Sequence, residues 1–240
     1  MIPARDQLIV ALDVSSAAQA QKIVFSLGDS VSFYKVGMQL YTAEGPSVVR
    51  DLVSSGRRVF LDLKYHDIPN TVGAAVRAAG KLGVSLLTVH GAGGSKMLRV
   101  ATEAARESNP AMKLVAVTVL TSMDEEDLNE VGVPGDLERQ VVQVANLALK
   151  AGCHGVVSSA REVKALRVRL GNDFLVVTPG VRPPGAAHGD QARAVTPAEA
   201  IAAGSTHLVV GRPITGAENP SEQAEKIIRE IEHASPVGTR

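Results

Sequence analysis

Eight short apolar runs recur along this chain, each separated from the next by enough residues for one helix: Leu8–Leu12, Phe33–Val36, Val59–Leu61, Leu86–Val89, Leu114–Leu120, Val156–Val157, Phe174–Val177 and Leu208–Val210. They are near-continuous in Val, Leu and Ile, not alternating with polar residues, which suits parallel strands covered on both faces. Between them lie Ala-rich segments of helical spacing, such as Val72–Ala79 and Val141–Ala151. Gly28, Gly56, Gly83, Gly152, Gly171 and Gly204 stand where helices should stop, since glycine takes the left-handed C′ position without steric cost. Ser159-Ala160-Arg161-Glu162 and Thr196-Pro197-Ala198-Glu199 match the capping box that opens a helix, and Asn219-Pro220-Ser221-Glu222 is a looser version. Strand and helix alternating eight times within 240 residues is the pattern of an α/β chain folded as a (β/α)8 barrel, residues 1–240 forming a single domain. A doubly wound sheet is the rival. Against it, the first run is followed by Asp13-Val14-Ser15, with no G-x-G-x-x-G loop for a dinucleotide.

A barrel collects its chemistry at the carboxyl ends of the strands. The polar residues fall there: Asp13 after the first run, Lys35 and Gly37 at the second, Asp62-Leu63-Lys64 at the third, His90-Gly91 at the fourth, Thr121-Ser122 after the fifth, Thr178-Pro179-Gly180 at the seventh and Gly211-Arg212 at the eighth. Each has an ordinary alternative. Asp13 could be a helix cap, Lys35 a snorkelling surface lysine, and His90 a satisfied structural histidine, while His66 and His188 sit in loop-like sequence that favours exposure.

The densest stretch is Asp62-Leu63-Lys64-Tyr65-His66-Asp67-Ile68-Pro69-Asn70-Thr71. On a strand, residues two apart share a face, which places Asp62 and Lys64 together; Asp67 falls in the turn, Pro69 in the first helical turn and Thr71 just behind it. Buried charges must be paired, and the ammoniums of Lys35 and Lys64 can alternate with the carboxylates of Asp62 and Asp67. A protonated lysine held rigidly there can deliver a proton to carbon and stabilise a developing carbanion. The plain alternative is a salt-bridge network that only closes the barrel. Across the mouth, Val210-Gly211-Arg212-Pro213-Ile214 offers backbone N–H groups and a guanidinium fork to a phosphate. The long segment after the seventh run, with Arg182 and Gln191, reads as a lid with further phosphate contacts.

Composition removes several other functions. Lys+Arg 25 balance Asp+Glu 25, and aromatics are 3% without Trp, so neither a basic surface nor a stacking platform for nucleic acid is expected. No apolar run approaches a membrane span, and the N-terminal residues do not read as a signal peptide. The lone Cys153 excludes an internal disulfide, fits a reducing compartment and is expected as a buried bystander. A cytoplasmic protein is the expectation.

The run Asp62–Thr71 resembles the signature D-x-K-x-x-D-I-P-x-T of the orotidine 5′-phosphate decarboxylase family. The resemblance extends over essentially the whole chain, through Asp13, Lys35-Val36-Gly37, Thr178–Pro183 and Val210–Ile214. It implies conversion of orotidine 5′-monophosphate to UMP and CO2 without metal or organic cofactor. By matching position, Lys64 would be the proton donor and Asp62 would face the substrate carboxylate. Asp13 and Lys35 would hold ribose hydroxyls. Thr121 and Pro179 would lie against the nucleotide, and Gln191, Gly211, Arg212 and Arg182 would grip its phosphate. Asp67 and Thr71 would reach into the neighbouring site of a homodimer. A related Mg2+-dependent sugar-phosphate decarboxylase or aldolase is the nearest alternative, and Lys35 speaks against it by repelling a cation. A non-catalytic phosphate-binding barrel is the other, and the intact Asp62/Lys64/Asp67 set speaks against that.

Overall fold

The computed structural model describes residues 2–183 and 195–234. Eight parallel strands close into a barrel in sequence order: β1 (Leu8–Ala11), β2 (Phe33–Gly37), β3 (Arg58–Tyr65), β4 (Leu86–His90), β5 (Lys113–Val117), β6 (Gly155–Val157), β7 (Leu175–Pro179) and β8 (His207–Val210), with β8 pairing back onto β1. Helices such as Ala17–Leu27, Pro69–Lys81, Gly94–Ser108, Leu137–Lys150 and Pro220–His233 cover the outside. The expected (β/α)8 architecture is the observed one. No helix among the described residues is long and apolar enough to cross a membrane.

Both faces of each strand are buried, and this accounts for the continuous apolar runs. One parity of residues (Leu8 and Val10, Tyr34 and Val36, Val59 and Leu61, Leu87 and Val89) packs outward against the helices. The other parity fills the barrel: Ile9, Ala11, Phe33, Phe60, Leu86, Val115, Val177 and Val209 form one apolar layer across its interior.

The helix punctuation follows the residues expected. Gly28, Gly56, Gly83, Gly152, Gly171 and Gly204 all take positive φ. Thr196 and Glu199 complete a reciprocal capping box, and Ser159 caps its helix by accepting from the Arg161 N–H. Most strand ends fall within two residues of the expected runs, and two carboxyl ends differ by more. The fifth strand stops at Val117, short of Leu120, and β3 runs on to Tyr65, past Leu61. The extension of β3 is irregular: Leu61 pairs with Leu87 but Tyr65 with Val89, so four steps on β3 face two on β4. The bulge this creates carries Asp62, Leu63 and Lys64, and the two charged residues of that trio are cavity-lining.

Candidate active site

The inward parity that builds the apolar layer also builds the site above it. Two residues beyond Ala11, Phe33, Phe60, Val177 and Val209 come Asp13, Lys35, Asp62, Pro179 and Gly211. All five line a cavity of about 470 Å3 at the carboxyl ends of the strands, a size suited to a nucleotide-scale ligand. Lys64, Thr121, Arg182, Arg212 and Thr215 complete its polar lining.

Within the cavity the charges alternate. Lys35, buried at 8% exposure, places its Nζ 2.7 Å from Asp13 Oδ1 and 3.9 Å from Asp62 Oδ2. Lys64 Nζ lies 2.9 Å from Asp62 Oδ1. The order is therefore Asp13, Lys35, Asp62, Lys64, each charge beside its opposite. Burial of an ammonium is costly unless it is paired, and Lys35 is paired on two sides. Room for that pair comes from Gly37 at the end of β2, where a Cβ would come within 2.8 Å of Lys35 Nζ and 3.1 Å of Asp13 Oδ1.

Lys64 is the only non-glycine residue with positive φ among the described residues, at 51°. A side chain in that region costs about 1–2 kcal/mol, so the surroundings must hold it. Its N–H donates to Thr88 Oγ1 at 2.9 Å, and the Thr88 hydroxyl donates to Asp62 Oδ1 at 3.0 Å. Thr88 is fully buried in the middle of β4 and does not line the cavity. Sequence reading passed it over inside an apolar run, although its parity with inward-facing Leu86 carried the signal.

Asp67 and Thr71 are elsewhere. Both are exposed and neither lines this chain's cavity. The Asp67 carboxylate accepts from the Ile68 N–H at 2.6 Å, at the turn leading to Pro69, the first residue of the helix. Asp13, not Asp67, therefore supplies the second carboxylate of the ring within one chain. Gln191 and His188 lie outside the described residues. His66 is exposed and stacks on half-buried His90 with ring centroids 5.1 Å apart, while His90 Nδ1 accepts from the Ala92 N–H. Burial, with His66 and Lys64 adding positive charge, pulls the His90 imidazole below its ordinary range. Cys153 is buried, and burial pushes its thiol up to about 12, as suits the inert bystander expected.

Comparison with known proteins places the chain in a family. Residues 6–227 match the model of the orotidine 5′-phosphate decarboxylase / HUMPS family. The chain is 50% identical over 235 residues to an orotidine 5′-phosphate decarboxylase of Moorella thermoacetica, an alignment covering 95% of this chain and 93% of that protein. It is 49% identical to the one of Heliobacterium modesticaldum, over 95% of this chain and 96% of the relative. A crystal structure of orotidine 5′-phosphate decarboxylase from Lactobacillus acidophilus superimposes with a TM-score of 0.84 at 42% identity, covering 93% of this chain and 98% of that one. The chain belongs to the orotidine 5′-phosphate decarboxylase / HUMPS family.

Proposed function

We propose that this protein converts orotidine 5′-monophosphate to UMP and CO2 in pyrimidine biosynthesis, using no metal or organic cofactor. The observation that carries the reading is the 2.9 Å contact of Lys64 Nζ with Asp62 inside a cavity that Gly211 and Arg212 also line. An acid able to protonate carbon and a grip for phosphate thus share one chamber.

The Asp62 carboxylate faces the substrate carboxylate, and their repulsion is relieved as CO2 leaves. Cleavage of the carbon–carboxylate bond deposits its electron pair on C6 of the pyrimidine. The Lys64 ammonium stabilises that pair and then gives it a proton, forming the C6–H bond of UMP; Lys64 recovers its proton from water. Preorganised charge does here what an electron-sink cofactor does elsewhere. Asp13 and Lys35 hold the ribose hydroxyls, and Thr121 and Pro179 lie against the nucleotide. Arg182, Gln191, Gly211 and Arg212 hold the phosphate, whose binding energy fixes the base over Lys64.

Lys35 favours this reading over a Mg2+-dependent sugar-phosphate reaction. Its ammonium sits between the carboxylates of Asp13 and Asp62, where a divalent ion would otherwise be drawn. The exposure of Asp67 and Thr71 outside the chain's own cavity supports a homodimer in which each chain lends these two residues to its neighbour's site.

The test is direct. Purified protein mixed with orotidine 5′-monophosphate should deplete its ultraviolet absorbance and yield UMP, with undiminished rate in the presence of a chelator. Absence of turnover overturns the reading, and activity abolished by the chelator restores the sugar-phosphate alternative.

A further inference from the structure

The bulge in β3 poses a physical problem that one buried hydroxyl answers. Lys64 stands in a left-handed conformation where β3 and β4 lose register, so neither its backbone nor its side chain is fixed by regular pairing. Thr88 meets both members of the reacting pair. A hydroxyl has one proton and two lone pairs, and an ionised carboxylate only accepts. The Thr88 proton is therefore committed to Asp62 Oδ1 at 3.0 Å, leaving a lone pair for the Lys64 N–H at 2.9 Å. Thr88 itself cannot drift. It is β-branched and stiff at χ1, fully buried, and lies in a strand paired on both sides, with β3 and with β5.

We propose that Thr88 is a positioning residue for the decarboxylation, clamping the β3 bulge so that Asp62 and Lys64 present one fixed geometry to the substrate. The inference rests on the decarboxylase reading for its catalytic meaning and on the two hydrogen bonds for its structural one. Thr88 touches no part of the cavity and acts only through Asp62 and Lys64. Its loss should therefore slow the chemical step and leave the phosphate grip intact. Misplacing a catalytic group by about 1 Å costs on the order of 100-fold in rate.

Thr88→Val keeps the shape and removes both bonds; Thr88→Ser keeps both bonds and removes a methyl group. In steady-state turnover of orotidine 5′-monophosphate, Thr88→Val should lower kcat by about 10- to 100-fold with KM within about threefold of wild type. Thr88→Ser should stay within about threefold in both, as expected when only packing is trimmed. A Thr88→Val enzyme with wild-type kcat, or a Thr88→Ser enzyme as slow as Thr88→Val, overturns the proposal. Should Thr88→Val fail to fold, Thr88→Cys, with a weaker donor in place of the hydroxyl, must fall below Thr88→Ser in kcat or the proposal fails. A crystal structure of the Val or Cys variant provides a reading without substrate. Lys64 should leave its left-handed conformation and its contact with Asp62; an unchanged 2.9 Å contact refutes the clamp. Failure of the wild-type protein to turn over substrate would instead overturn the function proposed above, and the crystal structure would still decide the role of Thr88.

Discussion

Gly37→Ala adds one carbon to the wall of the cavity, at a place where its consequence can be worked through. The new Cβ would lie 2.8 Å from Lys35 Nζ and 3.1 Å from Asp13 Oδ1, and restoring an ordinary 3.4 Å separation requires the ammonium to retreat by about 0.6 Å. Lys35 Nζ is the end of a flexible side chain, so the backbone need not move and the fold should tolerate the change. The ammonium, however, has little freedom, because its 2.7 Å bond to Asp13 and its 3.9 Å contact with Asp62 define its present place. A hydrogen bond to a charged group is worth about 1.5–3 kcal/mol. If the displacement forfeits that bond, and if the pair acts in the transition state, kcat/KM should fall by about 10- to 150-fold, at 1.36 kcal/mol per decade.

The assay is kcat/KM on orotidine 5′-monophosphate together with thermal unfolding of the same preparation. The midpoint should fall by about 3–12 °C, since the fold forfeits the same bond and about 1 kcal/mol moves a domain of this size by roughly 2–4 °C. A variant with kcat/KM within about twofold of wild type would show that the Lys35–Asp13 geometry is not used in the reaction, because forfeiture of a bond of this strength predicts at least a decade. A fall in the midpoint beyond about 15 °C would show that the added carbon moves the main chain, and the rate loss could not then be ascribed to the ammonium.

Three further outcomes follow from the same geometry. Lys64→Ala should bind UMP yet lose about 100- to 10,000-fold in kcat, the usual weight of a positioned acid; equal turnover would exclude it as the proton donor. Gly211→Ala places its Cβ 3.5 Å from Ala11 Cβ, an ordinary contact, so folding should survive while the approach of phosphate is hindered. Its expected signature is a KM raised by about tenfold or more, and a pure kcat effect would remove Gly211 from the phosphate grip. His207, at the opposite end of the barrel, is buried edge-on to Phe33, and burial, reinforced by Arg58, pulls its imidazole from 6.5 down to about 4. The unfolded chain then binds a proton that the folded chain refuses, so this stabilisation is whole above pH 6.5, drains as pH falls to about 4 and is flat below. The span corresponds to about 3 kcal/mol, and His207→Leu should flatten denaturant-measured stability across that window; a parallel curve would refute the assignment.

What the sequence disclosed and what it withheld divide along a physical line. Strand parity and helix caps are local properties. The apolar runs marked all eight strands, six glycines marked their turns, and the fall of polar residues two steps past apolar ones marked one end of the barrel. The bulge at Asp62–Lys64 is not local. It exists because β3 takes four steps where β4 takes two, and nothing in the letters of β3 alone fixes that mismatch. Simple alternation did place Asp62 and Lys64 on one side, but their 2.9 Å contact comes from a left-handed lysine on a bulge, not from a regular strand. Thr88 was hidden for the same reason: its partners are 24 and 26 residues away. Asp67 was grouped with the ring because it is near in sequence, while within one chain Asp13, distant in sequence, is the carboxylate that joins it in space.

The same period of two that packs the barrel also decides how its charges behave. Phe33 and Phe60 lie in the apolar layer directly below Lys35 and Asp62, so the ring of charges rests on a buried, apolar floor. Lys35 and Asp62, the two least exposed of these charges, are shielded from solvent on that side, and their mutual orientation is set when the barrel folds. In the proposed reaction, a carbanion forming above Lys64 would meet a cation already in position and pay little to reorganise its surroundings. Replacing the floor with polar residues would pack poorly and would also let water compete for the ammoniums. In this fold the apolar layer and the charged layer are consecutive steps of the same strands, and stability of the first is a condition for the chemistry of the second.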